Sequence, residues 1–484
     1  MLRQLLRTKP IVHLDPSLDA LKRCLGPVQL VTLGIGAIIG TGIFVLTGLA
    51  AAQHAGPAIV LSFVIAGIGC IFAGLCYAEF AAMVPVSGSA YSYSYATLGE
   101  FIAWFVGWNL VLEYLFAAAT VSVGWSRYFT KLLDHFDINF LPAALTAAPF
   151  GVAPDGVHFM TTGALINLPA VLIASIITGI CYVGITQSSL VNAVVVSIKV
   201  TIVVLVIGFG AFYVNPDNWV PFIPENTGKV GEFGISGVLR ASGIIFFAYI
   251  GFDAVSTATL EAKNPARDMP IGILGSLVVC TILYILMSGV LTGMLPYPQL
   301  NDAAPVAVAL QAHEGLNWLT PWVIVGALAG LTSVILVMIL GQARIFLSMA
   351  RDGLLPPAFS AVHPKFQTPH LATLITGTLA AVIGGLFPIG ILGELVSIGT
   401  LIAFIVVCLG VLILRYTRPD LERPFRVPAI WATSLLGVAF CGIMAGFLPR
   451  DTWLRLLIWT AIGVAIYFLY GYRKSALNTR QQTD

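Results

Sequence analysis

The chain has 484 residues, of which 58% are hydrophobic and 10% are charged, and its formal net charge is +2 at pH 7. Ordinary soluble domains carry about 25% charged residues, so this composition, with a mean hydropathy of +0.94, excludes a soluble globular protein. Apolar runs long enough to cross a bilayer recur along almost the whole length, which predicts a polytopic helical membrane protein rather than a β-barrel. Nothing in the charge balance points to nucleic acid as a partner.

Apolar runs separated by polar breaks predict twelve membrane-spanning helices. In chain order the predicted spans are Val31–Ala52, Ala58–Val84, Phe101–Trp125, Leu168–Thr186, Val191–Val214, Ile235–Leu260, Ile271–Met294, Leu319–Leu340, Leu371–Phe387, Leu395–Leu414, Ile430–Phe447 and Trp453–Tyr470. We expect the connecting stretches Thr130–Asn167 and Asn215–Gly234 to be irregular. An even number of spans leaves both chain ends on one side of the membrane.

Lysine and arginine residues orient the predicted bundle, because they concentrate in cytoplasmic loops. The first 27 residues carry five of them and lack the apolar core and cleavage site of a signal peptide, so we expect a cytoplasmic N-terminus. With that orientation, 17 of the 24 basic residues lie inside, six lie outside, and one, Lys199, lies within the fifth span. This distribution predicts a plasma-membrane protein with both termini in the cytoplasm.

Glycine interrupts the first span. Its central stretch, Gly34–Phe44, reads GIGAIIGTGIF and contains four glycines and a threonine. Glycines let membrane helices pack closely, but they also permit non-helical backbone, which lipid tolerates only where it lines a cavity. We favour the second interpretation, a broken helix whose free N–H groups suit a carboxylate and whose free carbonyls suit an ammonium. A zwitterion would satisfy both ends.

A second interruption lies in the sixth span, where Gly251 and Asp253 break the aromatic run in FFAYIGFDAVST. Spans one and six start on opposite sides of the membrane and begin two five-helix halves, which predicts an inverted repeat with its site near the midplane. The predicted parts are a cytoplasmic segment (1–27), the first repeat (28–214), the second repeat (235–414), the last two helices (430–470) and a cytoplasmic tail (471–484).

Four stretches resemble a known superfamily of transporters. They read GIGAIIGTGIF, CYAEFAAMVPVSGSAYSYSYATLGEFIAWFVGWNLVLEY, NPARDMPIGI and SMARDGLLPP, and they are similar to the amino acid-polyamine-organocation superfamily, within it to the cationic amino acid transporters. The resemblance covers nearly the whole chain. It implies an all-α fold of the LeuT type, with a five-plus-five inverted-repeat core, discontinuous helices 1 and 6, and two C-terminal helices. Twelve spans fit the bacterial-type branch, which includes carriers of neutral amino acids.

The same resemblance implies a substrate site at the two breaks. The residues that match the family's α-carboxylate site and its turn are Ile38, Gly40, Thr41 and Gly42. The residues that match its carbonyl ligands of the α-amino group are Ile38, Phe247, Ala248 and Ile250. Phe247 also resembles the family's aromatic lid. Two alternatives without a role in binding remain: the Thr41 hydroxyl could bond back to its own helix, and Phe247 could be an ordinary packing residue.

Lys199 is the most informative charge, because an ionisable group inside a membrane span is functional by default. Desolvation there disfavours the charged amine. In related carriers a lysine at this position stands where sodium-coupled members of the fold place sodium, so the resemblance implies proton coupling. We expect Lys199 to take a proton from outside, to bond first-span carbonyls near Gly36 and Ala37, and to release the proton inside. The alternative is a purely structural cation.

Other polar residues within the spans have less certain roles. Glu113 and Asp253 could face a substrate side chain, take part in proton transfer or neutralise a helix end. Ser333 and Val337, one turn apart, are candidates for the side-chain pocket. Glu79 and Glu394 are expected to be structural.

The functional prediction is a secondary transporter that imports L-amino acids by proton symport and alternating access. The proton is the expected coupling ion; we expect no other cofactor, and the question of an accessory subunit stays open. The alternatives are an exchanger, or a carrier of polyamines or cationic amino acids without proton coupling. A membrane enzyme is disfavoured because the sequence holds no HExxH, Walker or nucleophile-elbow motif, and no repeated filter loop indicates a channel.

Overall fold

The computed structural model of the protein describes residues 5–9, 25–83, 89–138, 140–152, 159–184, 189–302 and 304–480. Most of the predicted N-terminal segment and the last four residues of the predicted tail therefore lie outside the described residues. Within them the chain is mostly helical, which confirms the prediction of an all-α protein in its coarse form.

The α-helices are α1 Pro27–Ile38, α2 Thr47–Ala50, α3 Ile59–Met83, α4 Ser89–Thr97, α5 Glu100–His135, α6 Leu168–Val183, α7 Ser189–Gly210, α8 Gly234–Ile245, α9 Pro265–Met294, α10 Pro305–Gln311, α11 Thr320–Arg351, α12 His370–Leu386, α13 Ile389–Thr417, α14 Ile430–Phe447, α15 Arg450–Ile466, α16 Tyr472–Lys474 and α17 Ala476–Arg480. The π-helical turns are Gly42–Leu46, Ala51–Ala55 and Tyr467–Gly471. The 3₁₀ turns are Gly56–Ala58, Ala143–Leu145, Ala211–Tyr213, Pro216–Trp219, Phe246–Tyr249, Asp253–Glu261, Tyr297–Leu300, Glu314–Leu316 and Pro357–Ser360.

Nine helices in the described part of the chain are long and apolar enough to cross a membrane. Three shorter apolar helices, α1, α6 and α12, lie at other predicted spans. A helix lies at each of the twelve predicted places, and together they form a polytopic membrane protein. The twelve-span inverted-repeat arrangement itself stays a prediction.

Two connecting regions differ from the sequence prediction. The third helix continues ten residues beyond the predicted Trp125, to His135, and the stretch after it contains a small antiparallel pair, β1 Phe150–Val152 and β2 Phe159–Thr161. The serine- and tyrosine-rich connection before Glu100 forms α4. The sequence of α4 has no amphipathic period. Three of its tyrosines are buried, and two of them donate hydrogen bonds to the carboxylates of Asp352 and Glu100.

Helix packing brings the two interrupted segments to the centre of the molecule. Helix α5 packs against α11 and α13, α3 packs against α9, and α1 lies between α9 and α7. The first and last described segments of the chain lie close together, since Arg7 donates to Asn478 and Lys9 pairs with Asp352 at 2.6 Å.

Glu79, on α3, holds the connection between α13 and α14. Its carboxylate is 2.5 Å from Arg415 and 3.5 Å from Arg423, and it accepts from the backbone N–H of Val427 at 2.7 Å. Glu394 accepts from Thr452 and lies 3.7 Å from Arg455. Each acid links elements that are distant in sequence.

Candidate substrate site

The first span is broken between Ile38 and Gly42. Helix α1 ends at Ile38, and Ile39 is extended, with φ −71° and ψ 103°. The chain resumes as a π-helical turn at Gly42. A Cβ atom at Gly42 would overlap the Cα and Cβ atoms of Ala248, so glycine is required for the close approach of this turn to the sixth span.

The sixth span is broken at Ile250 and Gly251. Helix α8 tightens into a 3₁₀ turn over Phe246–Tyr249, and Ile250 is extended with ψ 138°. Gly251 has a φ of +114°, and a Cβ there would lie 2.8 Å from the carbonyl oxygen of Ala37. The two breaks therefore contact each other through backbone that only glycine can supply.

A small cavity lies where the two breaks meet. The volume within which the centre of a water molecule fits is about 10 Å³, so the cavity has room for about one water. Its walls come from the first break, α5, the sixth break and α11, and the lining residues are Ala37, Ile38, Gly40, Thr41, Gly42, Ala117, Val121, Phe247, Ile250, Val334 and Met338. A ligand larger than a water molecule therefore requires the cavity walls to separate.

The first break contributes polar groups to the wall of this cavity. The hydroxyl of Thr41 is buried and has no hydrogen-bond partner among the described residues. The first N–H groups of a helix have no carbonyl partner within it, and they carry the positive end of the helix dipole. Unpaired donors at the start of the second half-helix are suited to a carboxylate.

The carbonyls at the end of α1 are held by side chains from two other helices. Lys199, fully buried on α7, donates to the carbonyl of Gly36 at 2.7 Å and to that of Ile39 at 3.0 Å. The second acceptor is Ile39 rather than the predicted Ala37, because the Ala37 carbonyl is covered by Gly251. From α9, Tyr284 donates to the carbonyl of Ile38 at 2.9 Å.

The predicted ammonium ligands of the sixth break already have partners in this conformation. The carbonyl of Phe247 accepts from the N–H of Ile250 at 3.2 Å, and the carbonyl of Ala248 accepts from Tyr284 at 2.9 Å. A carbonyl oxygen has two lone pairs, so each can accept a second donor. The ring of Phe247 lines the cavity, as an aromatic lid would.

Glu113 and Asp253 lie together behind the cavity and do not line it. Both are fully buried, and Glu113 is beside Asp253 and Thr400. Asp253 accepts from the hydroxyls of Tyr114 and Ser89. The cavity wall is therefore uncharged, and neither acid contacts a side chain held there in this conformation.

On α11 the cavity is lined by Val334 and Met338, not by the predicted Ser333 and Val337. Ser333 instead donates back to the carbonyl of Gly330 at 3.0 Å. One residue is about 100° of rotation around a helix, and an all-apolar span gives no signal for that phase. Ala117 and Val121, one turn apart on α5, were missed for the same reason.

Helices long and apolar enough to cross a membrane, two of which break around one small buried cavity, fit a membrane transporter. A family model described as amino acid permease matches residues 25–468. The chain therefore belongs to the amino acid permease family, within the amino acid-polyamine-organocation superfamily that its motifs resemble.

Individual relatives are similar over most of the chain. The chain is 48% identical over 460 residues to the branched-chain amino acid permease BcaP of Bacillus subtilis (strain 168), which covers 95% of both chains. It is 45% identical over 476 residues to the methylthioribose transporter of the same organism, covering 98% of this chain and 99% of that one. It is 38% identical over 424 residues to the vacuolar cationic amino acid transporter 4 of Arabidopsis thaliana, covering 87% and 68%.

Proposed function

We propose that the protein imports small apolar L-amino acids across the plasma membrane together with protons. In this proposal its twelve spans form two inverted five-helix repeats and two further helices, with both termini in the cytoplasm. The repeats move about the central site so that it opens alternately to each side. The membrane potential adds nothing to the import of a neutral zwitterion alone, so accumulation depends on the accompanying proton.

The observation that carries this proposal is the cavity at the double break. It combines the unpaired Thr41 hydroxyl and the start of the second half-helix with nearby backbone carbonyls, which is the pairing that an α-carboxylate and an α-ammonium require. The site residues carried over from the family fit these roles: Ile38, Gly40, Thr41 and Gly42 on the first break, and Phe247, Ala248 and Ile250 on the sixth.

The side-chain compartment supports an apolar substrate. Its wall is made by Ala117, Val121, Val334 and Met338, and no charged residue lines it among the described residues. A cationic side chain buried there would lack an anionic partner, and an unpaired buried charge reduces the binding free energy by several kcal/mol. The name of one relative, a branched-chain amino acid permease, fits this wall better than the name of the cationic transporter.

Lys199 is the proposed proton carrier. As an ammonium it donates to two carbonyls of the first break and so favours the closed arrangement of α1 and α7. As a neutral amine it keeps two hydrogens but loses the charge that strengthens these bonds, so the break is released. Both acceptors are backbone carbonyls, and the lysine forms no ion pair with a described carboxylate. Loss of its proton therefore changes the net charge of the site.

Binding of leucine and arginine to purified protein tests the substrate assignment. Thr41→Val removes the hydroxyl proposed to hold the carboxylate and should weaken leucine binding about tenfold, since a hydrogen bond to a charged group contributes about 1.5–3 kcal/mol. Thr376→Val is the matched control, because Thr376 on α12 is also buried with an unpaired hydroxyl but lies away from the cavity. Arginine bound more tightly than leucine would contradict an apolar pocket.

A further inference from the structure

Tyr284 contacts both helix breaks with one hydroxyl group. It lies on α9 and is fully buried. Its hydroxyl oxygen is 2.9 Å from the carbonyl oxygen of Ile38, the last residue of α1, and 2.9 Å from that of Ala248, in the turn before the sixth-span break. These two carbonyls belong to different half-helices, so Tyr284 is a shared partner of both.

The hydroxyl meets a need that the broken helices create. Carbonyls at the end of a helix lack an N–H donor, and a buried carbonyl without a partner costs free energy. A phenol has only one hydrogen to donate, so Ile38 and Ala248 share it. Each carbonyl keeps capacity for a second donor, and an ammonium group carries three.

Two neighbouring rings hold the hydroxyl in place. The ring centroids of Phe63 and Tyr249 each lie 5.4 Å from that of Tyr284. These rings restrict the tyrosine to the position in which it reaches both breaks. The position of the donor therefore comes from α3, the sixth-span turn and α9 together.

We propose that Tyr284 is a positioning residue for substrate binding. Its hydroxyl links the carbonyls of Ile38 and Ala248, so that the two breaks present their acceptors to the substrate's ammonium group as one unit. Without the hydroxyl the two carbonyls turn independently, and the ammonium must order them as it binds. The proposal rests on the proposed function, because it takes an amino acid as the ligand.

Tyr284→Phe removes the hydroxyl and keeps the ring. Tyr249→Phe is the matched control: its ring belongs to the same cluster, but its hydroxyl donates to the carbonyl of Phe63 at 2.9 Å, away from the breaks. A purely structural role for these rings predicts similar results for both variants. A positioning role predicts a difference between them.

The experiment measures leucine binding by calorimetry on full-length protein in nanodiscs, leucine uptake in proteoliposomes, and thermal unfolding of each variant. For Tyr284→Phe we expect Kd and KM about tenfold higher, equivalent to about 1.4 kcal/mol, with the maximal rate and the unfolding temperature close to those of the wild type. Tyr249→Phe should keep the wild-type Kd. Equal Kd values for wild type and Tyr284→Phe, or equal losses in both variants, would overturn the proposal.

The wild-type protein separates this proposal from the one on which it rests. If the wild type binds no amino acid, the proposed function fails and this inference fails with it; if it binds leucine and Tyr284→Phe binds equally well, only the inference fails. Should Tyr284→Phe not fold, 4-aminophenylalanine at position 284 keeps a donor on the ring. A Kd within threefold of the wild type supports donation from this position, and a tenfold loss contradicts it.

Discussion

The ammonium nitrogen of Lys199 lies 2.7 Å from the carbonyl oxygen of Gly36. The lysine lies in the middle of α7, and the carbonyl lies in the last turn of α1. Carbonyls in the last turn of a helix have no N–H donor within that helix. The charged side chain thus supplies the missing donor at the end of a helix that lines the small cavity. A change in that charge acts directly on the break, without any intervening group.

Close contact between the two breaks predicts the effect of Gly42→Ala. The new methyl group would overlap the Cα and Cβ atoms of Ala248, and overpacking of this kind costs about 1–3 kcal/mol. We expect leucine uptake to fall strongly and the apparent unfolding temperature to decrease. Gly442→Ala on α14 is the control, because nothing lies within 4 Å of a Cβ there. Normal uptake by Gly42→Ala would show that the breaks are not in contact during transport.

The uncharged wall predicts how Ala117→Val changes substrate preference. The two added methyl groups enter a cavity that has room for about one water, so they compete with the substrate side chain. We expect KM for leucine to rise about tenfold or more and KM for alanine to change less, because each methylene in such a pocket is worth about 1–3 kcal/mol. Ala312→Val, at an exposed position, should leave both values unchanged. An equal rise for the two substrates would place the side-chain compartment elsewhere.

The buried contacts of Glu79 predict a loss of stability in Glu79→Gln. Removal of one charge from a buried ion pair costs about 3–5 kcal/mol, and the partial exposure of Arg415 places the effect at the lower end. Thermal unfolding in detergent should occur at a clearly lower temperature than in Glu314→Gln, a variant at an exposed position. Adding Arg415→Met should cost less than the sum of the two single changes, since both remove the same pair. Additive losses would rule out the coupling.

Residue types with strong local consequences allowed much of this architecture to be predicted. Gly40 and Gly42 lie at the observed interruption of the first span, whereas Gly34 and Gly36 lie within α1, and Gly251 lies at the interruption of the sixth span. A lysine within an apolar span, together with the resemblance to related carriers, pointed to the carbonyl of Gly36. In each case the chemistry of one residue restricted the backbone around it.

Features that depend on tertiary contacts could not be predicted in this way. The bond from Tyr284 to Ile38 joins residues 246 positions apart, and a tyrosine in an apolar run gives no sign of it. The rotation of α11 that places Val334 and Met338 on the cavity wall is set by packing against α5. Helix α4 owes its form to hydrogen bonds with other elements, such as that from Tyr91 to Asp352.

The most direct test of the account is uptake of radiolabelled leucine into proteoliposomes, with and without an inward proton gradient. The proteins to compare are the wild type, Lys199→Ala and the exposed control Lys365→Ala. We predict accumulation driven by the gradient in the wild type and the control, and its loss in Lys199→Ala. Uptake that ignores the gradient and requires amino acid inside the vesicles would contradict proton symport and identify an exchanger.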